Sequence, residues 1–228
     1  MTTAPVPPET RPLSRAKRKI FADLGTRNGR ERRGLFRLEG PRSIEDAMKR
    51  GARFRYLVVS ADGEAHVARW IDEELLDADA EVYRVSGSEL AAIADTATPQ
   101  GVVAIGPLPT LTQDALPADL GRLILLVDGV QDPGNLGTLL RTLAAVGGRT
   151  ALLCRGAVDA YNPKALRGAA GATFDLAIGN EATGLDAEIR HHAALVVGLP
   201  MAPYVDSLSA AVAGSVALYA LTHRLRPA

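Results

Sequence analysis

Residues 123–148 (LILLVDGVQDPGNLGTLLRTLAAVGG) constrain the fold of this chain more than any other stretch. Leu123 to Val127 form an unbroken apolar run whose length and branching predict a strand buried on both faces. Asp128-Gly129 and Asp132-Pro133-Gly134 stop that strand, and Asn135 is the expected N-cap of a helix. Leu136, Leu139, Leu140 and Leu143 recur at helical spacing until Gly147-Gly148 ends the run. Around the helix these leucines share one arc, and Asn135, Thr138, Arg141 and Thr142 share another. Spacing alone leaves that polar arc open between two roles. It is either a solvated helix face, or a place where Asn135 and Arg141 work above the carboxyl end of a buried strand, where open α/β sheets keep their sites.

A chain of 228 residues can form one large or two small domains with a real core. Its hydrophobic share of 47% and charged share of 23% are those of an ordinary globular protein. No apolar run is long enough to span a membrane, and no apolar signal region opens the sequence, so a cytoplasmic protein is expected. The lone cysteine, Cys154, excludes an internal disulfide and offers no zinc cluster. It is expected to fill a core position at a strand end, and no metal is expected.

The charges sum to zero but are unevenly spread. Residues 11–37 carry ten Lys or Arg against Asp23 and Glu31, while residues 61–95 carry ten acids against Arg69 and Arg84. A basic stretch is often no more than solvated surface, but this density points toward phosphates. The candidate ligands are Arg15, Lys17, Arg18, Lys19, Arg30, Arg32, Arg33 and Arg37.

In chain order, residues 1–12 read as a disordered leader. Residues 13–107 alternate short strands and helices: a basic helix over 14–28, strands near 34–40, 54–59, 81–85 and 101–105, and helices over 42–50, 65–76 and from 86. This is a small α/β domain. Residues 108–121, rich in proline, read as a linker to a second domain over 122–228. There, strands are expected at 150–154, 173–178 and 194–199, with helices over 162–171 and 186–192. The last helix, 207–225, is small or apolar nearly all round and should be buried, in the core or in a subunit interface.

Three loops thus follow strands in one domain. They are Asn135-Leu-Gly-Thr-Leu-Leu-Arg141, Gly179-Asn-Glu-Ala-Thr-Gly-Leu185, and Leu199-Pro-Met with Ser207-Leu-Ser209. Together, in this order, they resemble the three signature motifs of the SpoU/TrmH family of RNA 2′-O-ribose methyltransferases, within the SPOUT superfamily. Residues 158–171 (VDAYNPKALRGAAG) look like the family's segment between the first two motifs. Arg37-Leu-Glu-Gly40 and residues 97–104 (ATPQGVVA) are similar to the ribosomal-protein-like substrate-binding domain that many members carry.

The resemblance implies a parallel-sheet α/β domain with a trefoil knot, which dimerises and binds S-adenosylmethionine (SAM). Its substrate would be a ribose hydroxyl of ribosomal RNA, or of transfer RNA, with no membrane and no metal involved. Gly179, Asn180, Gly184, Leu199, Pro200, Met201, Leu208 and Ser209 would form the SAM pocket, where glycine allows close backbone approach. Asn135, Arg141, Glu181 and Ser207 would carry catalysis, and the basic segment would hold RNA. Methyl transfer from a sulfonium needs in-line positioning above all. A guanidinium keeps its proton, so Arg141 is expected to clamp a phosphate or stabilise the developing alkoxide rather than act as a base. His191, His192 and His223 are expected on the surface.

The sequence departs from the family twice. The third motif ends in Ser209 where Asn is usual. The interval between Phe174 and Gly179 is too short for the helix and strand that members carry there. One strand would then serve two roles, and the domain would be short of one strand and one helix. Those departures support an alternative, a non-catalytic RNA- or ribosome-binding paralogue with an impaired SAM pocket. A dinucleotide-binding oxidoreductase and a phosphate-loop NTPase fail for want of G-x-G-x-x-G and Gly-Lys-Ser/Thr.

Overall fold

The computed structural model describes residues 10–77, 79–109, 123–154, 156–180 and 208–225. The N-terminal half is a five-stranded mixed sheet in the order β1-β4-β3-β5-β2. Its strands are β1 (Thr10–Pro12), β2 (Leu35–Glu39), β3 (Tyr56–Val59), β4 (Glu81–Arg84) and β5 (Val102–Pro107). β1, β4 and β3 run parallel, while β5 runs antiparallel to both β3 and β2. The helices are α1 (Arg15–Asp23), α2 (Arg27–Arg33), α3 (Pro41–Lys49), α4 (Glu64–Asp72) and α5 (Gly87–Ala91).

Local chemistry sets these boundaries. Ser14 caps α1 by accepting the Lys17 N–H, and Thr26 caps α2 by accepting the Gly29 N–H. The single basic helix expected over 14–28 is therefore two, because Thr26 offers a second start. Pro41 opens α3 at its first position, and Ser86 with Glu89 forms a reciprocal capping box on α5. The expected leader also loses its last three residues, since Thr10–Pro12 pair with Val82–Arg84 at the sheet edge. Proline is tolerated there because an edge strand needs fewer donors.

The C-terminal half has three described strands, all parallel, in the order β6-β7-β8: Ile124–Val127, Thr150–Leu153 and Ala177–Asn180. Helices α6 (Pro133–Ala145), α7 (Pro163–Ala169) and α8 (Ala210–Leu225) accompany them. α6 buries Leu136, Leu139, Leu140 and Leu143 and turns Thr138 and Arg141 to solvent, as its periodicity predicts. Its N-cap is Asp132, not Asn135, because Pro133 occupies the first helical position and starts the helix three residues earlier. Gly137 has no room for a side chain: a Cβ there would lie 2.4 Å from the Ala165 carbonyl oxygen, so α6 and α7 touch through backbone.

One burial expectation is overturned and another is narrowed to its subunit-interface branch. β6 is not buried on both faces, since Ile124 and Leu126 are exposed. α8 is not enclosed by its own chain. Among its described side chains only Ala211 and Leu218 are buried, while Val212, Val216 and Tyr219 lie on the surface. The strand expected over 173–178 is a 3-10 turn, Ala172–Asp175, followed by β8, so Gly179 and Asn180 end a strand instead of opening a loop. The helix expected over 186–192, the strand over 194–199 and the linker beyond residue 109 lie outside the described residues, as does the loop on which a knot depends.

One apolar cluster runs through both halves. Phe36 of β2 packs with tilted rings against Tyr161 and Phe174 of the C-terminal half, with ring centroids 5.3 and 5.6 Å apart. A smaller cluster of Phe21, Leu24, Val58, Leu90 and Ile93, among others, covers the other face of the N-terminal sheet.

Candidate functional site

The register of the parallel sheet builds the site. Val127 pairs with Leu153, and Leu153 pairs with Asn180. All three strands end in one row, so the loop before α6 and the second motif leave the same carboxyl edge.

At that edge Asp132 organises the start of α6. Its Oδ1 accepts the Asn135 N–H at 2.8 Å, and its Oδ2 accepts from Lys164 Nζ at 3.0 Å. The Asn135 N–H, helped by the Lys164 ammonium, holds the Asp132 carboxyl below its usual value. Lys164 itself is held by α7, whose N-cap Asn162 accepts the Lys164 N–H at 2.9 Å. Asn135 is half-buried; Arg141, two turns on, is exposed and forms no ion pair with any described residue. Next to it, Thr142 shares a 2.9 Å hydrogen bond with Ser215 of α8. The first motif thus offers an amide, a solvent-facing guanidinium and the N-terminus of a helix, a set suited to anions and hydroxyls.

The structure places Gly179 and Asn180 at the end of β8. Glu181, Gly184, Leu199, Pro200, Met201 and Ser207, together with His191 and His192, lie outside the described residues. Leu208 and Ser209 are described and exposed, and His223 is exposed as expected. Ser209 serves the start of α8: its Oγ accepts the Val212 N–H at 3.3 Å and its carbonyl accepts the Ala213 N–H at 3.0 Å. Serine caps a helix as well as asparagine does, so the departure from Asn keeps this duty.

The basic segment divides. Arg15 and Lys19 are exposed and make no ion pair with a described residue. Lys17 lies over the rings of Tyr56 and Tyr83, 4.5 and 4.3 Å from their centroids, and pairs with Glu81. Burial disfavours its charge, but hydrogen bonds with Tyr83 and Glu81 outweigh that and leave its pKa raised. Arg18 pairs with Glu89 at 2.5 Å, and Arg32 and Arg33 both pair with Asp23. The acidic segment thus partly neutralises the basic one within the fold.

Arg30 and Arg37 do not fit the expectation of a phosphate-binding surface. They are 2% and 3% exposed. Arg30 binds Asp159 through Nε at 2.9 Å and Nη2 at 2.5 Å, and Arg37 is enclosed by Glu39, Asp95 and the Ile93 carbonyl. Burial lowers the Arg37 pKa against the pull of Glu39 and Asp95. Sequence reasoning counted these charges as surface because charge density carries no depth. Their partners Asp159 and Asp95, the second cation on Asp95, Arg167, and the lysine at the site, Lys164, were missed for the same reason: each is an ordinary charged residue until folding brings its partner near.

Comparison with known proteins agrees with this arrangement. Residues 16–104 match a family described as the MRM3-like substrate binding domain, and residues 122–178 and 174–219 match the SpoU rRNA Methylase family. The two SpoU segments share residues 174–178, so one stretch serves two places in the family pattern, in agreement with the short interval before Gly179. The chain is 31% identical over 248 residues to an uncharacterized tRNA/rRNA methyltransferase of Synechocystis, covering 88% of each. It is 28% identical to the 23S rRNA (guanosine(2553)-2′-O)-methyltransferase RlmP of Bacillus subtilis, covering 90% of this chain and 95% of that one. The fold matches the SpoU methyltransferase AviRb of Streptomyces viridochromogenes, solved in complex with AdoMet, with a TM-score of 0.76 at 24% identity over 93% of this chain and 98% of that one. The chain belongs to the SpoU/TrmH family of SAM-dependent RNA 2′-O-ribose methyltransferases.

Proposed function

We propose that this protein methylates a ribose hydroxyl of ribosomal RNA as a homodimer, with the N-terminal half choosing the RNA and the C-terminal half transferring the methyl group. The observation that carries this is the row Val127–Leu153–Asn180, which brings the first and second motifs to one edge.

In this mechanism SAM supplies an electrophilic methyl on a sulfonium. The chain's residues must hold the 2′-hydroxyl in line with it and stabilise charge as the proton leaves. Gly179 and Asn180 at the end of β8, with Leu208 and Ser209 before α8, are the described part of the proposed pocket. Gly184, Leu199, Pro200 and Met201 complete it by family resemblance, and Glu181 and Ser207 would orient the reacting groups. Asn135 and Arg141 would face RNA. Arg141 stays protonated, and as an exposed guanidinium it can grip a phosphate or the developing alkoxide. Arg15 and Lys19 are the cations freest to meet RNA; Lys17, Arg18, Arg32 and Arg33 would have to trade internal carboxylates for phosphates.

Val212, Val216 and Tyr219 lie at spacings of four and three on the exposed face of α8, which supports a subunit interface there. The proposed division is 13–107 for RNA binding and 122–228 for catalysis. Cytoplasmic residence is proposed with it; no described helix is long and apolar enough to cross a membrane.

Purified full-length protein tests this with radiolabelled SAM and ribosomal RNA. Label transferred into alkali-resistant dinucleotides is expected, because a 2′-O-methyl blocks cleavage at that ribose. Label confined to base positions, or none, would reject the proposal. Calorimetric titration with SAM is expected to show one site per chain.

A further inference from the structure

We propose that α7 is a clamp that fixes the RNA-reading half on the catalytic half, with Arg30–Asp159 and Arg167–Asp95 as positioning pairs that set the rate of methyl transfer. This rests on the functional reading above and goes beyond it, since neither pair belongs to a signature motif.

Both ends of α7 are held from the N-terminal half. Just before the helix, Asp159 receives Nε and Nη2 of Arg30, while its Oδ1 accepts the Tyr161 N–H at 2.8 Å. The remaining arm of Arg30, Nη1, donates to the Leu24 and Gly25 carbonyls at 3.0 and 3.2 Å, at the C-terminal end of α1. Every nitrogen of that guanidinium has a partner in this arrangement of the two halves. In the last turn of α7, Arg167 donates to Asp95 at 3.2 Å and lies 4.0 Å from Glu39. Between the two pairs, Phe36 packs against Tyr161.

A buried ion pair stabilises a fold little better than apolar side chains of the same size, because desolvation offsets the attraction. What it adds here is geometry: a planar fork and one carboxylate are satisfied at one distance and angle. The other side of α7 faces the site. Gly137 of α6 touches the α7 backbone, and Lys164 of α7 holds Asp132, the cap from which Asn135 hangs. α7 is therefore the body between the half that reads RNA and the helix that carries Asn135 and Arg141. A shift in docking angle would be felt as misplacement of the ribose, to which in-line transfer is steeply sensitive.

The test uses full-length Asp159→Asn and Arg30→Lys, with ribosomal RNA from cells lacking the gene. The first keeps the shape and the acceptor for Tyr161; the second keeps the charge and loses the fork. Spin labels at exposed Ala65 and Arg149, in a Cys154→Ala background, read the distance between the halves. The clamp predicts that Asp159→Asn broadens that distance distribution and lowers kcat about tenfold, with SAM affinity within about twofold of wild type by calorimetry. A purely structural role would lower SAM binding and kcat together. A narrow distribution, or full kcat with a broad one, would overturn the proposal. If Asp159→Asn fails to fold, Arg167→Gln is judged by the same two readouts. A wild-type protein inert toward ribosomal RNA would count against the functional reading, which the distance measurement does not use.

Discussion

The two sheets finish differently. In the N-terminal half, the central strands β3 and β5 are covered on both faces, by the large core on one and by Phe21, Leu24, Leu90 and Ile93 on the other. In the C-terminal half, β6 leaves Ile124 and Leu126 exposed, and α8 does the same with Val212, Val216, Tyr219 and Leu221. Among the described residues, every exposed large apolar side chain belongs to this second half. Such residues are unremarkable singly, but a stripe of them on one helix marks a surface built to meet another. The first half is closed on itself; the second leaves an apolar face that, on the proposed function, a second copy would cover.

The contrast can be broken from the side of chemistry first. Replacing Arg141 with alanine is expected to lower methyl transfer by about 10²–10³-fold, the cost of removing one electrostatic contact to the developing charge. SAM affinity should hold. Unchanged transfer in the Arg141→Lys protein would remove both the clamping and the alkoxide-stabilising roles, because lysine lacks the bidentate fork.

Assembly comes next. Val216→Asp combined with Tyr219→Asp is expected to weaken the dimer by about a hundredfold or more, since each apolar side chain buried contributes about 1.5–3 kcal/mol. Sedimentation velocity reads this directly. A double variant that remains dimeric at the wild-type concentration would mean that α8 is not the interface.

A third change tests the packing beneath the site. Gly137→Ala should stabilise an isolated helix by about 1 kcal/mol. Here its Cβ would meet the Ala165 carbonyl oxygen at 2.4 Å, and overpacking of this kind costs about 1–3 kcal/mol. Net destabilisation in urea is expected, and a stabilised variant would mean that α6 and α7 can separate cheaply.

The smallest effect lies in the N-terminal half. Glu45 accepts hydrogen bonds from Arg69, Lys49 and the Trp70 indole, which hold its carboxyl down at about 2. A carboxyl depressed on folding adds stability above its unfolded pKa of about 4.3, and loses it as pH falls toward about 2. The stability difference between wild type and Glu45→Gln should therefore be present at pH 7, begin to narrow near the unfolded pKa of about 4.3, and vanish as pH falls to about 2. A gap that stays constant with pH would show that the charge of Glu45 is not what the network holds.

Much of this was legible in the sequence where periodicity and turn chemistry agree. The leucines of α6, the helix that starts from Ser86 and the strand expected at 101–105, observed at Val102–Pro107, were all readable from local rules. What escaped was set by distance along the chain. An apolar run such as Ile124–Val127 does not say which of its faces a later element will cover. The first cap of α6 fell to Asp132 because proline fixed the helix start, a competition that spacing cannot score. Arg30 and Arg37 read as surface cations until Asp159, 129 residues from Arg30, and Asp95, 58 residues from Arg37, supplied partners. The order of the three motifs, by contrast, was readable without any structure, because it is written in the sequence itself.

The most direct test of the account is a map of ribose methylation. Ribosomal RNA from cells with and without this gene is compared by mass spectrometry, with plasmid-borne wild type and Arg141→Ala as rescues. The account predicts a 2′-O-methyl nucleotide that disappears on deletion and returns with the wild type but not with Arg141→Ala. Identical ribose-methylation maps with and without the gene would contradict it.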